Sequence, residues 1–200
     1  MHPNAAFRFK PDDPALAFVA AHGFAHIFGM TPDGPRVAHA PLLVTPAGTI
    51  CFHLANMNAL APHLDGQPVL ASVGGPGSYI SPNWYSDPSI HVPTWNYRTV
   101  EIEGVARAMS FEELGDLLDL SAATFEPRVG EDWTMAKMER SRAEAMMRSI
   151  TGFEMTPETI RSTDKASQNR REEDARGVVT ALEHIGDVQG AAAIRRTRGW

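Results

Sequence analysis

Two short connections near the start of the chain limit its fold more than any other feature. Residues 24–30 alternate as a strand does, Thr31-Pro32-Asp33-Gly34 has the composition of a tight turn, and residues 36–44 resume an extended pattern. Pro46-Ala47-Gly48 separates that segment from a third, residues 49–55. A parallel crossover needs a dozen or more residues, so these connections dictate an antiparallel meander and exclude a βαβ arrangement. The expected class is mainly β with helices (α+β).

The rest of the chain extends this pattern. Asp12 and Asp13 before Pro14 have the makings of a helix start, with Leu16, Val19 and Ala20 on the helical face. Residues 69–73 form a short apolar strand ending at Gly74-Gly75-Pro76-Gly77, followed by an aromatic loop with Tyr79, Trp84 and Tyr85. The longest strand is expected over residues 99–109. Val100, Ile102, Ala106 and Ala108 fall on one face, Glu101, Glu103 and Arg107 on the other, and Gly104 is a bulge candidate. Ser110 and Glu113 have capping-box spacing, and Phe111, Leu114, Leu117 and Leu118 follow with helical period. Further expectations are a helix over 135–150, a final strand over 152–155, a helix over 171–184 and a frayed basic tail from Arg195. At 200 residues and 43% hydrophobic content the chain is read as one domain over 1–200, with helical additions at about 110–150 and 170–196.

A net charge of −6 argues against a surface built mainly to grip nucleic-acid phosphates. Direct DNA binding is further disfavoured by the lack of a helix-turn-helix pattern with a basic recognition helix. The best basic stretches are residues 161–171, interleaved with acids, and 195–198. The single cysteine, Cys51, lies in an apolar run and is expected as a buried thiol. No 18-residue apolar run and no basic leader followed by an apolar stretch stand in the sequence, so a soluble, cytoplasmic protein without membrane contact is expected.

Few residues announce chemistry. His22 and His26 have the spacing of helical zinc ligands, but Gly23 and the β pattern after it argue against a helix there, and no metal is expected. No nucleophile elbow, P-loop or dinucleotide fingerprint occurs, and no catalytic residue is assigned. Trp95-Asn96-Tyr97 sets two aromatics around an amide, which serves either as a barrel plug or as a ligand contact. Lys165-Ala166-Ser167-Gln168-Asn169-Arg170 is either a solvated helix cap or an anion site, since two cations, a hydroxyl and helix-start N–H groups favour a phosphate.

Taken in order, His39-Ala40-Pro41-Leu42, His53-Leu54-Ala55 with Asn58, Tyr79-Ile80-Ser81, Pro93-Thr94-Trp95-Asn96-Tyr97 and Ser167-Gln168-Asn169-Arg170 resemble the PaiB family. These are FMN-binding proteins often labelled negative transcriptional regulators. The resemblance implies a six-stranded antiparallel split β-barrel related to pyridoxamine-phosphate-oxidase-like proteins, with FMN held at the interface of a homodimer. It places His39, Ala40, Pro41 and Leu42 at the flavin ring and ribityl edge, and His53, Leu54, Ala55 and Asn58 on the ribityl–phosphate side. Trp95, Asn96 and Tyr97 are expected to line the flavin pocket. Around the phosphate, where relatives with oxidase activity place Arg or Lys, this chain offers His53, Asn58 and His63. The missing charge is assigned to Lys165 and Arg170, with Ser167, Gln168 and Asn169 beside them. The implied role is regulatory or flavin-redox, with a flavin-dependent oxidoreductase among the possibilities. The alternative is a haem-binding or haem-degrading split barrel using His39, His53 or His91.

Overall fold

The computed structural model describes residues 2–10, 14–130 and 133–200. Its elements run α1 (Ala15–His22), β1 (Phe24–Thr31), β2 (Gly34–Val44), β3 (Ile50–Ala55), β4 (Pro68–Ile80), β5 (Thr94–Ala108), α2 (Phe111–Phe125), α3 (Arg140–Met147), β6 (Ile150–Met155), β7 (Thr159–Lys165), α4 (Glu172–His184) and α5 (Val188–Arg198). Short 3-10 turns punctuate the loops. The strand order is β4-β1-β2-β3-β6-β5-β7, and an added β4–β5 pairing closes the first six into a ring of hydrogen bonds. This is the antiparallel split barrel of an α+β protein, with β7 as a seventh strand beyond the six expected.

The chain divides into two compact units, a larger one of Leu16–Val73 and Glu101–Ile160 and a smaller one of Met1–Ala15, Gly74–Val100 and Arg161–Trp200. In the larger unit the meander forms as read. β1 pairs antiparallel with β2 from Phe24↔Pro41 to Thr31↔Gly34, and β2 pairs with β3 through Leu42↔Phe52. Period-2 alternation turns Ala25, Ile27, Ala40, Leu42, Ile50, Phe52 and Leu54 inward, where all are buried. Phe52 and Phe153 are register partners on β3 and β6, and their rings stack at 5.4 Å. The opposite face of β3 carries Cys51, which packs with Leu43 beneath Leu114 and Leu117 of α2 and Met147 of α3. The capping box starts α2 as expected: Ser110 Oγ accepts from Glu113 N–H, and the Glu113 carboxylate accepts from Ser110 N–H at 2.7 Å. Gly104 marks a close approach, because a Cβ there would lie 2.4 Å from the Thr156 carbonyl oxygen.

The smaller unit has a core in which Val178, Val179 and Leu182 of α4 meet Ala191 and Ile194 of α5 and Ile80 of β4. Here the structure corrects several expectations. The residues from Arg195 onward are not a frayed tail: α5 runs to Arg198, capped by Asp187 at its start and by Gly199, with φ 72°, at its end. β4 continues through Gly74-Gly75-Pro76-Gly77 to Ile80 and does not stop at Val73. β5 begins at Thr94, so Trp95-Asn96-Tyr97 lies within the longest strand and not before it. The helix expected over 135–150 is shorter, a 3-10 turn at Met135–Lys137 and then α3. The helix start read at Asp12 and Asp13 lies outside the described residues.

Candidate functional site

In the smaller unit, strand alternation on β5 turns Asn96 inward while Trp95 stands 56% exposed on the opposite face, edge-on to Tyr79 at 5.8 Å. Asn96 is buried beside the end of β7 and the turn that follows it. Its Nδ2 donates to Ser167 Oγ at 2.9 Å, whereas its Oδ1 is buried without a hydrogen-bond partner among the described residues. Tyr85 Oη is in the same position. Both side chains line a cleft of about 190 Å³, together with Thr94, Lys165, Asn169 and Arg170. The N-terminal segment supplies a further wall through His2, Asn4 and the buried Phe7. A buried polar atom left without a partner costs about 1–3 kcal/mol, so two of them in one polar cleft mark a place where a ligand or water completes the bonding.

The cleft is cationic. Lys165 Nζ donates to Thr94 Oγ1, and burial, followed by the neighbouring Arg170 charge, pushes its pKa below the ordinary lysine value. Arg170 lies over the Tyr85 ring at 4.8 Å and donates through Nη1 to His91 Nδ1 at 3.0 Å. Two like charges held together and partly desolvated favour an anion between them. The turn that presents them is strained, since Ser167 takes φ 56° and is not glycine. Ser167 itself is held by Asn96 Nδ2 donating to its Oγ, and by Arg170 N–H at 3.0 Å and Arg198 Nη2 at 2.9 Å donating to its carbonyl.

The structure thus brings Asn96, Lys165, Ser167, Asn169 and Arg170 to one cleft. Gln168 is turned aside. Its Oε1 accepts from Ala166 N–H at 2.7 Å, and its Nε2 donates to the carbonyls of Asp164 and Ala6, so it braces the turn. Tyr97 is half-buried and Trp95 faces outward. The remaining assigned residues belong to the larger unit. His39 and Pro41 are exposed on the outer face of β2, where His39 meets His26 edge-on at 4.8 Å. Ala40, Leu42 and Leu54 are buried core residues. Ala55 is exposed at the end of β3, and Asn58 Oδ1 caps the following turn by accepting from Leu60 N–H. His53 lines a separate, mostly apolar cavity.

Sequence reasoning missed the bracing of the Ser167–Arg170 turn by α5. Arg198 Nη2 donates to the carbonyls of both Ser167 and Arg170, and Arg196 forms a two-pronged pair with Asp164 at 2.9 and 3.1 Å. Asp187 before an alanine-rich run, and Gly199 after it, were signals of a capped helix that could have placed these arginines.

A family model described as "Putative FMN-binding domain" matches residues 1–159. The chain is 33% identical over 118 residues to "Protease synthase and sporulation protein PAI 2" of Bacillus subtilis (strain 168), covering 59% of this chain and 56% of that protein. This similarity bears out the resemblance to the PaiB family. An uncharacterized protein of Emericella nidulans is 28% identical over 152 residues, covering 66% of this chain and 59% of that protein. The chain therefore spans less than three fifths of the length of these curated relatives. Among solved structures, the FAD and heme binding protein of Mycobacterium smegmatis aligns with TM-score 0.59 at 14% identity, over 79% of this chain and 73% of that one. The flavocytochrome Anf3 of Azotobacter vinelandii aligns with TM-score 0.58 at 15% identity, over 87% and 80%. At these identities the two structures establish the shared fold. Among the described residues no helix is long and apolar enough to cross a membrane.

Proposed function

This chain belongs to the FMN-binding domain family whose model covers residues 1–159, and from that premise we propose that the Asn96–Lys165–Arg170 cleft receives the phosphate end of FMN. One observation carries the reading. Two orphaned buried polar atoms, Asn96 Oδ1 and Tyr85 Oη, share a cleft with two cations whose side chains repel one another. A phosphate monoester dianion answers both needs, because its oxygens accept from Arg170, Lys165 and the tyrosine hydroxyl, and a water bound to it donates to Asn96 Oδ1. Arg170 supplies a planar fork already aimed by His91, and Lys165 a point charge. At about 190 Å³ the cleft is smaller than the roughly 300–1,000 Å³ of whole-ligand sites, so it suits the anionic end and not the flavin ring.

When bound, FMN supplies electron and hydride chemistry of its own, so a site without a nucleophile is consistent with a flavin protein. The chain's own residues bind and orient. Arg198, by holding the Ser167 and Arg170 carbonyls, fixes the turn that carries the cation. We further propose a homodimer, supported by the exposed apolar ladder on the outer face of β1 and β2, where Phe24, Phe28, Met30 and Val37 are each 40% exposed or more. His39 and Pro41 stand on that same face. We propose a regulatory or flavin-redox role in the cytoplasm: the regulatory part is supported by the likeness to a B. subtilis protein named for protease synthesis and sporulation, the redox part by the FMN-binding family, and direct DNA contact is not part of the proposal, given the net charge of −6.

The test is titration of the purified chain with FMN, read by quenching of flavin fluorescence and by the visible spectrum. The expected result is saturable binding with flavin bands, weakened in Asn96→Ala. Protein that ignores FMN, or that carries a Soret band and binds haem in its place, would overturn the reading.

A further inference from the structure

The larger unit contains a second cavity, of about 440 Å³, between the outer face of β3, the end of α2, the 3-10 turn at Met135–Lys137 and α3. Its size falls within the range of small-molecule sites and far exceeds a packing void. Four methionines line it, Met135, Met138, Met146 and Met147, with Trp133 and the imidazole of His53. Trp133 and Met146, at 41% and 56% exposure, stand at its mouth, while Met147 is buried at its base against Cys51. Among the described residues that line it there is no lysine or arginine, and the one charged group is the Glu126 carboxylate, so the cavity disfavours anions.

His53 sits on β3 in register between Cys51 and Ala55, on the face covered by α2. Its ring has no hydrogen-bond partner among the described residues, and burial moves its pKa down, toward the neutral imidazole. A neutral imidazole offers one donor and one acceptor to whatever enters. Methionine thioethers are flexible and polarizable and make favourable contacts with aromatic rings, so this lining adapts to flat apolar molecules of differing outline.

We propose that this cavity binds a small uncharged aromatic molecule carrying one hydrogen-bonding group, which is anchored by His53 and packed by the methionines. The site is distinct from the cationic cleft and takes a ligand of opposite character: no phosphate, a large apolar body and a single polar contact. His53 is then a ligand anchor and not a phosphate partner.

The probe is N-phenyl-1-naphthylamine, a neutral diaryl amine whose fluorescence rises in apolar surroundings and whose N–H can donate to an imidazole nitrogen. Saturable one-to-one enhancement is expected, together with quenching of Trp133 emission that disappears in Trp133→Phe. His53→Leu should weaken this probe about threefold to tenfold, the worth of one hydrogen bond, while leaving 1-phenylnaphthalene, which lacks the N–H, nearly unchanged. Filling the cavity by Ala143→Trp, with Ala122→Trp made in parallel in case either fails to fold, should abolish binding. Absence of saturable binding to the folded chain, indifference to a folded filling variant, equal loss of both probes in His53→Leu, or displacement by FMN would overturn the proposal. Flavin fluorescence read in the same samples keeps the two sites separate. Lys165→Met with Arg170→Met should weaken FMN and leave the naphthylamine affinity as it was.

Discussion

Replacing Lys165 and Arg170 together by Met removes both cations from the cleft of the smaller unit and leaves side chains of similar length. A hydrogen bond to a charged group contributes about 1.5–3 kcal/mol, and two such contacts to one phosphate act as a unit, so they do not simply add. Both side chains are half-buried, and Lys165 is already held below the ordinary lysine pKa by burial. Solvent screening and that lowered pKa therefore place the joint loss near a single contact, about 1.5–3 kcal/mol, or roughly tenfold to a hundredfold in FMN affinity. Riboflavin shares the ring and lacks the phosphate. Its affinity should change by less than about threefold, through the lost Arg170 contacts with His91 and the Tyr85 ring. Arg170→Lys alone should fall between wild type and the double variant, since it keeps the charge and gives up the fork. Parallel titrations by flavin fluorescence quenching, at one fixed salt concentration, measure both ligands. Equal losses for FMN and riboflavin, or no loss for either, would refute the assignment of these cations to the phosphate.

The remaining expectations reach other parts of the molecule. Because the Lys165 pKa is lowered, FMN affinity should decline with rising pH from below the usual lysine range, as the side chain loses its charge, while riboflavin affinity stays level. Between the lowered folded value and the ordinary unfolded one the unfolded chain binds more protons, so apo-protein stability from this group rises with pH over the same window. The Cys51 thiol, pushed up to about 11 by burial and by Glu154, should resist a disulfide reagent at pH 8 in the native state and react at once in denaturant. Gly177→Ala should destabilise the protein in thermal unfolding. Alanine gains about 1 kcal/mol of helix propensity, but its Cβ would lie 2.5 Å from the Trp84 carbonyl oxygen, and overpacking costs about 1–3 kcal/mol.

The parts of the fold legible in the sequence are those where local chemistry and tertiary packing agree. Thr31 to Gly34 and the Pro46-Ala47-Gly48 break carry turn residues at the positions where the backbone reverses, and the Ser110–Glu113 box forms the cap its spacing predicts. β7 escaped because Thr159–Lys165 holds one large apolar residue, Ile160, and is a strand only through its pairing in the sheet. Its buried Asp164 is made tolerable by Arg98 and by Arg196, the latter from far along the chain. The start of β5 was obscured for a related reason. Asn96, a polar residue, points inward and Trp95 outward, which inverts the hydrophobic alternation a strand normally advertises. The cleft itself was half visible: the run of donors at Lys165 to Arg170 could be read as an anion site, but its meeting with Asn96 and Tyr85 depends on long-range contacts. Nothing in the sequence pointed to the apolar cavity beside His53, because its methionines are scattered over helix and loop without a shared period.

The phosphorus NMR signal of bound FMN, followed across pH, tests the central claim most directly. A free phosphate monoester takes up a proton with a pKa of about 6, whereas opposite charges within a few ångström favour the dianion and lower that value by about 1–3 units. If the phosphate lies between Lys165 and Arg170, its signal should hold the dianion position from about pH 8 down to about pH 6 while flavin fluorescence remains quenched, and titrate only below that. A bound signal that titrates near pH 6, as free FMN does, would place the phosphate in solvent and contradict the account.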